Sequence, residues 1–286
     1  MSTKKLGLVL EGGASRAYFT VGVLDALEDL NIRADVVVGA SAGIANGISY
    51  VSGQRGRNIK IGLNFLPDKR YMGLKHWLNP RNRSLYNIKF VFDDIPNKLL
   101  PFDYAAFKNS NIKTYCALTN IKTGQCEYVL LDGSDKKWTA VVASCALPLL
   151  FKPIELGGAL YMDGGIANPV PIDKAFSENC DKIITVLTRE SGYVKKGETG
   201  LGAAERAYRK YPEFIKALET RTENYNKLHD GIFNLEKENK TFVFAPRDTN
   251  GWQRTERRPE MIKIMYDSGF QSVMRQKERL SEYLTD

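Results

Sequence analysis

Two residues of this 286-residue chain stand where a nucleophile and a base would be placed: a serine and an aspartate, each set among glycines. Ser41 lies in Gly39-Ala40-Ser41-Ala42-Gly43. The run Asp35-Val36-Val37-Val38 before it reads as a buried strand. The stretch Ile44-Ala45-Asn46-Gly47-Ile48-Ser49-Tyr50 after it is small and apolar enough for a buried helix. Strand, Gly-x-Ser-x-Gly, helix is the layout of a nucleophile elbow, a sharp turn that exposes the hydroxyl. The Ala42 N–H and the helix N-terminus then point toward negative charge developing at a reacting carbonyl. Asp163 ends a second pattern: Ile154-Glu155-Leu156-Gly157-Gly158-Ala159-Leu160-Tyr161 reads as a hairpin turning at Gly157-Gly158, followed by Met162-Asp163-Gly164-Gly165. An acid at a strand end can be presented to a neighbouring strand end, or it can simply cap a turn.

The elements that would position these residues begin at the N-terminus. Leu6-Gly7-Leu8-Val9-Leu10 predicts a short strand, which runs into Glu11-Gly12-Gly13-Ala14-Ser15-Arg16-Ala17. Apolar residues at Val23, Leu24, Leu27 and Leu30 then give helical spacing over 18–30. Consecutive small residues in such a strand-to-helix turn leave backbone N–H groups free to bind an anion. A nucleotide-binding loop is the competing reading. The chain has neither Gly-x-Gly-x-x-Gly nor Gly-Lys-Ser/Thr, and Asp35 stands at the start of its strand, not near its end. Further strands are expected at 112–118, 125–131, 181–187 and 241–245, with a long charged helix over 203–227 and a last helix opened by Pro259. At 286 residues the chain could form one large α/β domain or two smaller ones.

Only His76 and His229 are available as histidines. The order Ser41, Asp163, His229 imitates that of α/β-hydrolases, which keeps a histidine-dependent esterase as an alternative. Against it, at most two strands precede the elbow. His229 also falls in Glu223-Asn224-Tyr225-Asn226-Lys227-Leu228-His229-Asp230, which reads as a solvated helical stretch. Neither histidine has neighbours that suggest a metal site.

The formal net charge is +8, and it is concentrated. Residues 55–89 carry Arg55, Arg57, Lys60, Lys69, Arg70, Lys75, Arg81, Arg83 and Lys89 against the single acid Asp68, which equals the whole net charge. Leu63, Phe65, Leu66, Tyr71, Met72, Trp77, Leu78 and Tyr86 interleave with them. Such a segment suits contact with anionic lipid head groups, or an ordinary insertion with a solvated basic face. No nucleic-acid fold signature accompanies it. The glycine-rich charged region 189–202 reads as a mobile loop. Cys116, Cys126, Cys145 and Cys180 form no Cys-x-x-Cys and read as reduced thiols. With no signal-length apolar stretch at the N-terminus and none long enough to span a bilayer, a cytoplasmic protein is expected, with possible peripheral membrane contact through 55–89.

Taken together, Glu11-Gly12-Gly13-x-x-Arg16, Gly39-x-Ser41-x-Gly43 and Asp163-Gly164-Gly165 resemble the patatin-like phospholipase family. Ala143-Ser144-Cys145-Ala146-Leu147-Pro148 looks like the family's segment ahead of the aspartate, and Phe242-Val243-Phe244-Ala245-Pro246 with the last helix looks like its bacterial branch. The resemblance covers roughly residues 5–190. It implies a three-layer α/β/α sandwich with a mixed, mostly parallel sheet. The whole chain is then expected to form one domain, with a basic insertion at about 55–90 and a helical extension from about 247. The implied activity is hydrolysis of lipid acyl esters, of phospholipase A or lysophospholipase type, without cofactor or metal. Ser41 would be the nucleophile and Asp163 its base. Backbone N–H groups of Gly12, Gly13, Ala14 and Ala42 would hold the oxyanion, and Arg16 would match the family's basic residue. The family usually has glycine where Ala14 and Ala17 stand. Alanine keeps the N–H but resists positive φ, so a left-handed Ala14 would be strained, and a weakly active or non-catalytic lipid-binding relative is the further alternative.

Overall fold

A computed structural model describes residues 4–80, 82–197 and 200–286. Eight strands form one sheet: β1 (Leu6–Leu10), β2 (Val36–Ala40), β3 (Lys113–Asn120), β4 (Cys126–Leu131), β5 (Ile154–Leu156), β6 (Ala159–Asp163), β7 (Lys182–Val186) and β8 (Phe242–Phe244). The order is β5-β6-β3-β2-β1-β7-β8, with β4 paired to β3. The β1–β2, β1–β7, β2–β3 and β7–β8 pairs are parallel, and the β3–β4, β3–β6 and β5–β6 pairs antiparallel.

The central strands are apolar on both faces, because both faces are covered. Leu8 and Leu10 of β1, Val37, Ile184, Val186, Phe242 and Phe244 pack in one cluster with residues of α1 (Tyr18–Asp29), α2 (Ala42–Val51), α6 (Thr139–Ser144), α10 (Pro259–Met274) and α11 (Lys277–Thr285). Their neighbours Val9, Val38, Ile183 and Val243 point the other way, into a cluster with α7 (Ile172–Ser177) and α9 (Pro212–Lys237). Strand alternation thus builds two cores on opposite faces of one sheet, which is the expected three-layer α/β/α arrangement. Short helices α3 (Arg57–Asn64), α4 (Leu74–Leu78) and α5 (Tyr104–Asn109), a π-helical segment Phe90–Leu99 and α8 (Leu201–Ala207) complete the chain.

The expected hairpin is present, with Gly157 and Gly158 both at positive φ (59° and 80°) between β5 and β6. Tyr18, Val21, Leu66, Met72, Ile262 and Met265 form a further buried cluster, so the basic segment and the last long helix are tied to α1.

Candidate active site

β3 decides where the serine and the aspartate go. Its one edge is taken by β4 over Thr114–Thr119. The opposite edge is shared: β2 occupies it as far as Ala40 opposite Ala117, and β6 arrives from the other direction, with Asp163 opposite Leu118. Two strands therefore meet end to end on one edge, and the residue that follows Ala40 faces the last residue of β6. The Ser41 Oγ donates to Asp163 Oδ2 at 2.8 Å.

The elbow is sharp. Ser41 has φ 52° and ψ −130°, an unfavourable region for a residue with a Cβ. Gly43 must be bare, since a Cβ there would stand 2.5 Å from the Leu10 carbonyl oxygen. Gly164 is as constrained: a Cβ would come within 2.1 Å of the Ala117 oxygen. Gly39 lies in β2 opposite Cys116, and the Gly165 N–H donates to Asp163 Oδ1 at 2.7 Å.

Sequence reasoning did not assign a role to Ser144. Its hydroxyl accepts from the Ser41 N–H at 2.7 Å and donates to the Ala117 carbonyl at 2.7 Å. The Asp163 N–H donates to the Ala146 carbonyl at 2.9 Å, so the end of α6 and the residues just after it hold both partners. Glu11, fully buried, accepts from the Thr188 N–H and hydroxyl and from the Tyr225 hydroxyl at 2.8 Å, which fixes the start of the glycine loop.

Asp163 is buried, and burial raises its carboxyl pKa, against the opposing pull of Arg221 and of the bond from Ser41. In the glycine loop the Gly12 N–H is engaged with the Pro169 carbonyl at 3.3 Å. Those of Gly13, Ala14 and Ala42 have no hydrogen-bond partner among the described residues. Ala14 is left-handed, with φ 50°, the conformation that alanine resists. Arg16 is buried in the turn Ala14–Ala17 and lines a polar cavity that reaches Ser41.

A second, apolar cavity of about 160 Å³ also opens on Ser41 and Ala42, walled by Tyr18, Ile48, Phe102 and Val141. Ile61, Leu66, Tyr71 and Tyr86 of the basic segment line it too.

Two expectations need correction. His229 is not solvated: it is fully buried on α9, stacked on Tyr225 with ring centroids 5.7 Å apart and edge-on to Phe233. Its ring nitrogens have no hydrogen-bond partner among the described residues, while Asp163 is bonded to Ser41 and Gly165. The sequence carried the signal, since Phe214, Leu218, Tyr225, His229 and Ile232 repeat at helical spacing. The basic segment is also less uniform than its composition suggests. Arg57 is buried over the Phe102 ring and donates to the Leu100 carbonyl. Arg55, Arg70 and Lys89 are paired with Asp29, Asp68 and Asp94. Arg81 lies outside the described residues.

Residues 8–176 match the sequence profile described as patatin-like phospholipase. The chain belongs to that family. Residues 211–285 match a separate domain of unknown function. Among curated proteins, the patatin-like chain is 27% identical over 190 residues to lysophospholipase nte1 of Aspergillus niger, covering 64% of this chain and 12% of that one. It is 24% identical over 188 residues to the uncharacterized protein YjjU of Escherichia coli K12, covering 64% of this chain and 52% of YjjU. The chain thus spans about an eighth to a half of these relatives. Among solved structures it aligns with VipD of Legionella pneumophila, with TM-score 0.44 and 14% identity, over 96% of this chain and 66% of VipD. Among the described residues no helix is long and apolar enough to cross a membrane, and no cluster of His, Cys, Asp or Glu is placed to hold a metal ion.

Proposed function

We propose that this patatin-like chain hydrolyses carboxyl esters of lipids, of phospholipase A or lysophospholipase type, through an acyl-enzyme on Ser41 with Asp163 as base. The 2.8 Å bond between the Ser41 hydroxyl and the buried Asp163 carboxylate carries the reading. Asp163 takes the Ser41 proton as Oγ attacks the acyl carbonyl carbon. The carbonyl oxygen becomes an oxyanion, met by the N–H groups of Gly13, Ala14 and Ala42; the Gly12 N–H joins them only by leaving Pro169. The ester C–O bond breaks, and the alcohol departs with the proton from Asp163. Water then gives its proton to Asp163 and its oxygen to the acyl carbon, and the fatty acid leaves as Ser41 regains a proton. The acyl chain lies in the apolar cavity, whose aromatic and aliphatic walls suit it. None of these steps calls for a metal or an organic cofactor.

The exposed Leu74, Trp77 and Leu78 on α4, with Lys75 between them and Lys69 and Arg83 nearby in sequence, support peripheral contact with an anionic lipid surface. The four unpaired thiols suit a reducing compartment such as the cytoplasm.

Labelling with a fluorophosphonate, followed by mass-spectrometric site mapping, tests the nucleophile. Label on Ser41 that disappears in Ser41→Ala is the expected result. Label that persists in that variant, for example on Ser144, refutes the assignment.

A further inference from the structure

The residue of the site that most needs holding is Ala14. It is left-handed at φ 50°, and the direction of its N–H depends on that conformation. A residue with a Cβ keeps such a conformation only where its surroundings impose it. On one side Gly13 has no side chain with which to do so. On the other stands Ser15, which is buried and held at two points. Its N–H donates to the Arg254 carbonyl at 3.0 Å, and its hydroxyl donates to the Glu256 carbonyl at 2.9 Å, 241 residues along the chain.

The two carbonyls are themselves fixed. Glu256 is buried, and its carboxylate accepts from the Arg257 and Arg258 N–H groups, both at 2.9 Å, and from the Arg258 guanidinium at 2.6 Å. It thereby closes the chain just after the Arg254–Thr255 turn. The Arg257 guanidinium donates to the Leu66 and Pro67 carbonyls at 3.1 and 2.9 Å, which ties the same stretch to a wall of the apolar cavity. Next along the chain, α10 lies against α1 with bare backbones in contact. A Cβ on Gly22 would stand 2.0 Å from the Tyr266 oxygen, and one on Gly269 would stand 2.0 Å from the Phe19 oxygen. That contact sets where the turn sits relative to α1, which follows the glycine loop directly.

Arg254 and Glu256 fall within residues 211–285, the match of unknown function. The same region reaches the site twice more. The Tyr225 hydroxyl donates to Glu11 Oε1, at the other end of the glycine loop, at 2.8 Å. The Arg221 Nε donates to the Gly165 carbonyl, two residues after Asp163, at 3.0 Å. β8 belongs to this region too and pairs with β7 in the sheet. The patatin-like match, 8–176, contains the glycine loop but none of the groups that hold it from this side.

We propose that the segment of unknown function is a clamp on the glycine loop: the Arg254 and Glu256 carbonyls hold Ser15, and Ser15 holds Ala14 left-handed, so that the Ala14 N–H stays with that of Ala42 beside Ser41. Ser15 and Glu256 are positioning residues, which act through Ala14. The role rests on the loop serving as the oxyanion site of ester hydrolysis at Ser41.

Two changes test it. Ser15→Ala deletes the hydroxyl bond to the clamp, and Glu256→Gln loosens the clamp without touching the loop. Each is made alone and together with Ala14→Gly. Turnover of a short soluble p-nitrophenyl ester and the rate of fluorophosphonate labelling at Ser41 are measured, with Tm alongside. Either change alone should lower kcat and the labelling rate about tenfold, the scale of one hydrogen bond, and leave KM within about twofold. With Ala14→Gly, where a left-handed backbone carries no penalty, the same changes should cost no more than about twofold. A kcat unchanged in both variants, a rise in KM alone, or the same loss with and without Ala14→Gly overturns the clamp, and the last of these leaves the contacts a purely structural part. Hydrogen exchange separates the clamp from the hydrolase reading. Exchange of backbone N–H groups over 12–17 should quicken about tenfold in Glu256→Gln. If the unaltered protein neither turns over esters nor takes label, that quickening supports the clamp and refutes the hydrolase reading. Exchange unchanged in that variant overturns the clamp whatever the turnover.

Discussion

Replacing Ser41 by glycine and by alanine separates chemistry from backbone strain. Both changes delete the hydroxyl and its 2.8 Å bond to Asp163, so both should abolish ester hydrolysis. They differ only in the Cβ, which is held at φ 52°, ψ −130°. A residue in such a region costs about 1–3 kcal/mol, and glycine is free of that cost. Glycine loses more freedom on folding, which takes back about 0.5–1 kcal/mol. Ser41→Gly should therefore be more stable than Ser41→Ala by roughly 0.5–2 kcal/mol, the reverse of the usual order for these residues. Thermal unfolding followed by circular dichroism reads the difference as a higher Tm for the glycine variant, about 2 °C per kcal/mol for a chain of this size. If the alanine variant melts at the same temperature or higher, the elbow is not strained and the argument for an enforced turn fails. Ala14, at φ 50°, gives the same sign: Ala14→Gly should raise Tm.

Three further outcomes follow from the site. Burial raises the Asp163 pKa, so the folded protein binds that proton more tightly than the unfolded chain does. Stability from this group is therefore greatest below the unfolded pKa and falls as pH rises through the folded one, while activity falls as pH drops through it. Asp163→Asn should lower kcat by several orders of magnitude yet raise Tm at neutral pH relative to pH 4, and a Tm gain that does not grow with pH would contradict this. His229→Phe should keep kcat/KM for a short soluble ester within a few-fold and should not lower Tm, since it keeps the ring stacking and removes two unpartnered nitrogens; collapse of activity would revive the histidine-dependent alternative. Replacing Leu74, Trp77 and Leu78 together by serine should weaken sedimentation with anionic vesicles while leaving hydrolysis of the short soluble ester unchanged, and undiminished binding would make α4 an ordinary exposed turn.

The sharp turn at Ser41 was legible because its constraints fall on the residue types at single positions. Gly43 must pass the Leu10 carbonyl, and the strand before Ser41 is apolar on both faces, so residue types record the geometry directly. The link to Asp163 is recorded nowhere locally: it exists because β2 and β6 share an edge of β3, and pairing between distant strands leaves no periodicity to read. Ser144 was invisible for the same reason, being 103 residues from the backbone it steadies. Charge misled in two ways. The dense run 55–89 drew attention although Arg57 within it is buried, while the cations around Ser41 are spread from Arg16 to Arg254 and form no run at all. His229 was misread because most of the residues from Glu223 to Asp230 are polar, and a helix 26 residues long hides its buried stripe from a short window.

The shared edge of β3 has a mechanical meaning. Ala117 and Leu118 are consecutive, so the gap between Ala40, which precedes Ser41, and Asp163 is spanned by a single peptide unit of a buried strand. That unit works as a ruler. Inserting one residue there would push the two strand ends apart and leave each half of the sheet intact. Ordinary breathing of surface loops cannot change the spacing. If Ser41 and Asp163 are the reacting pair, they are therefore already in register within the sheet, and control of the proposed reaction would fall to the mouths of the two cavities that open on Ser41.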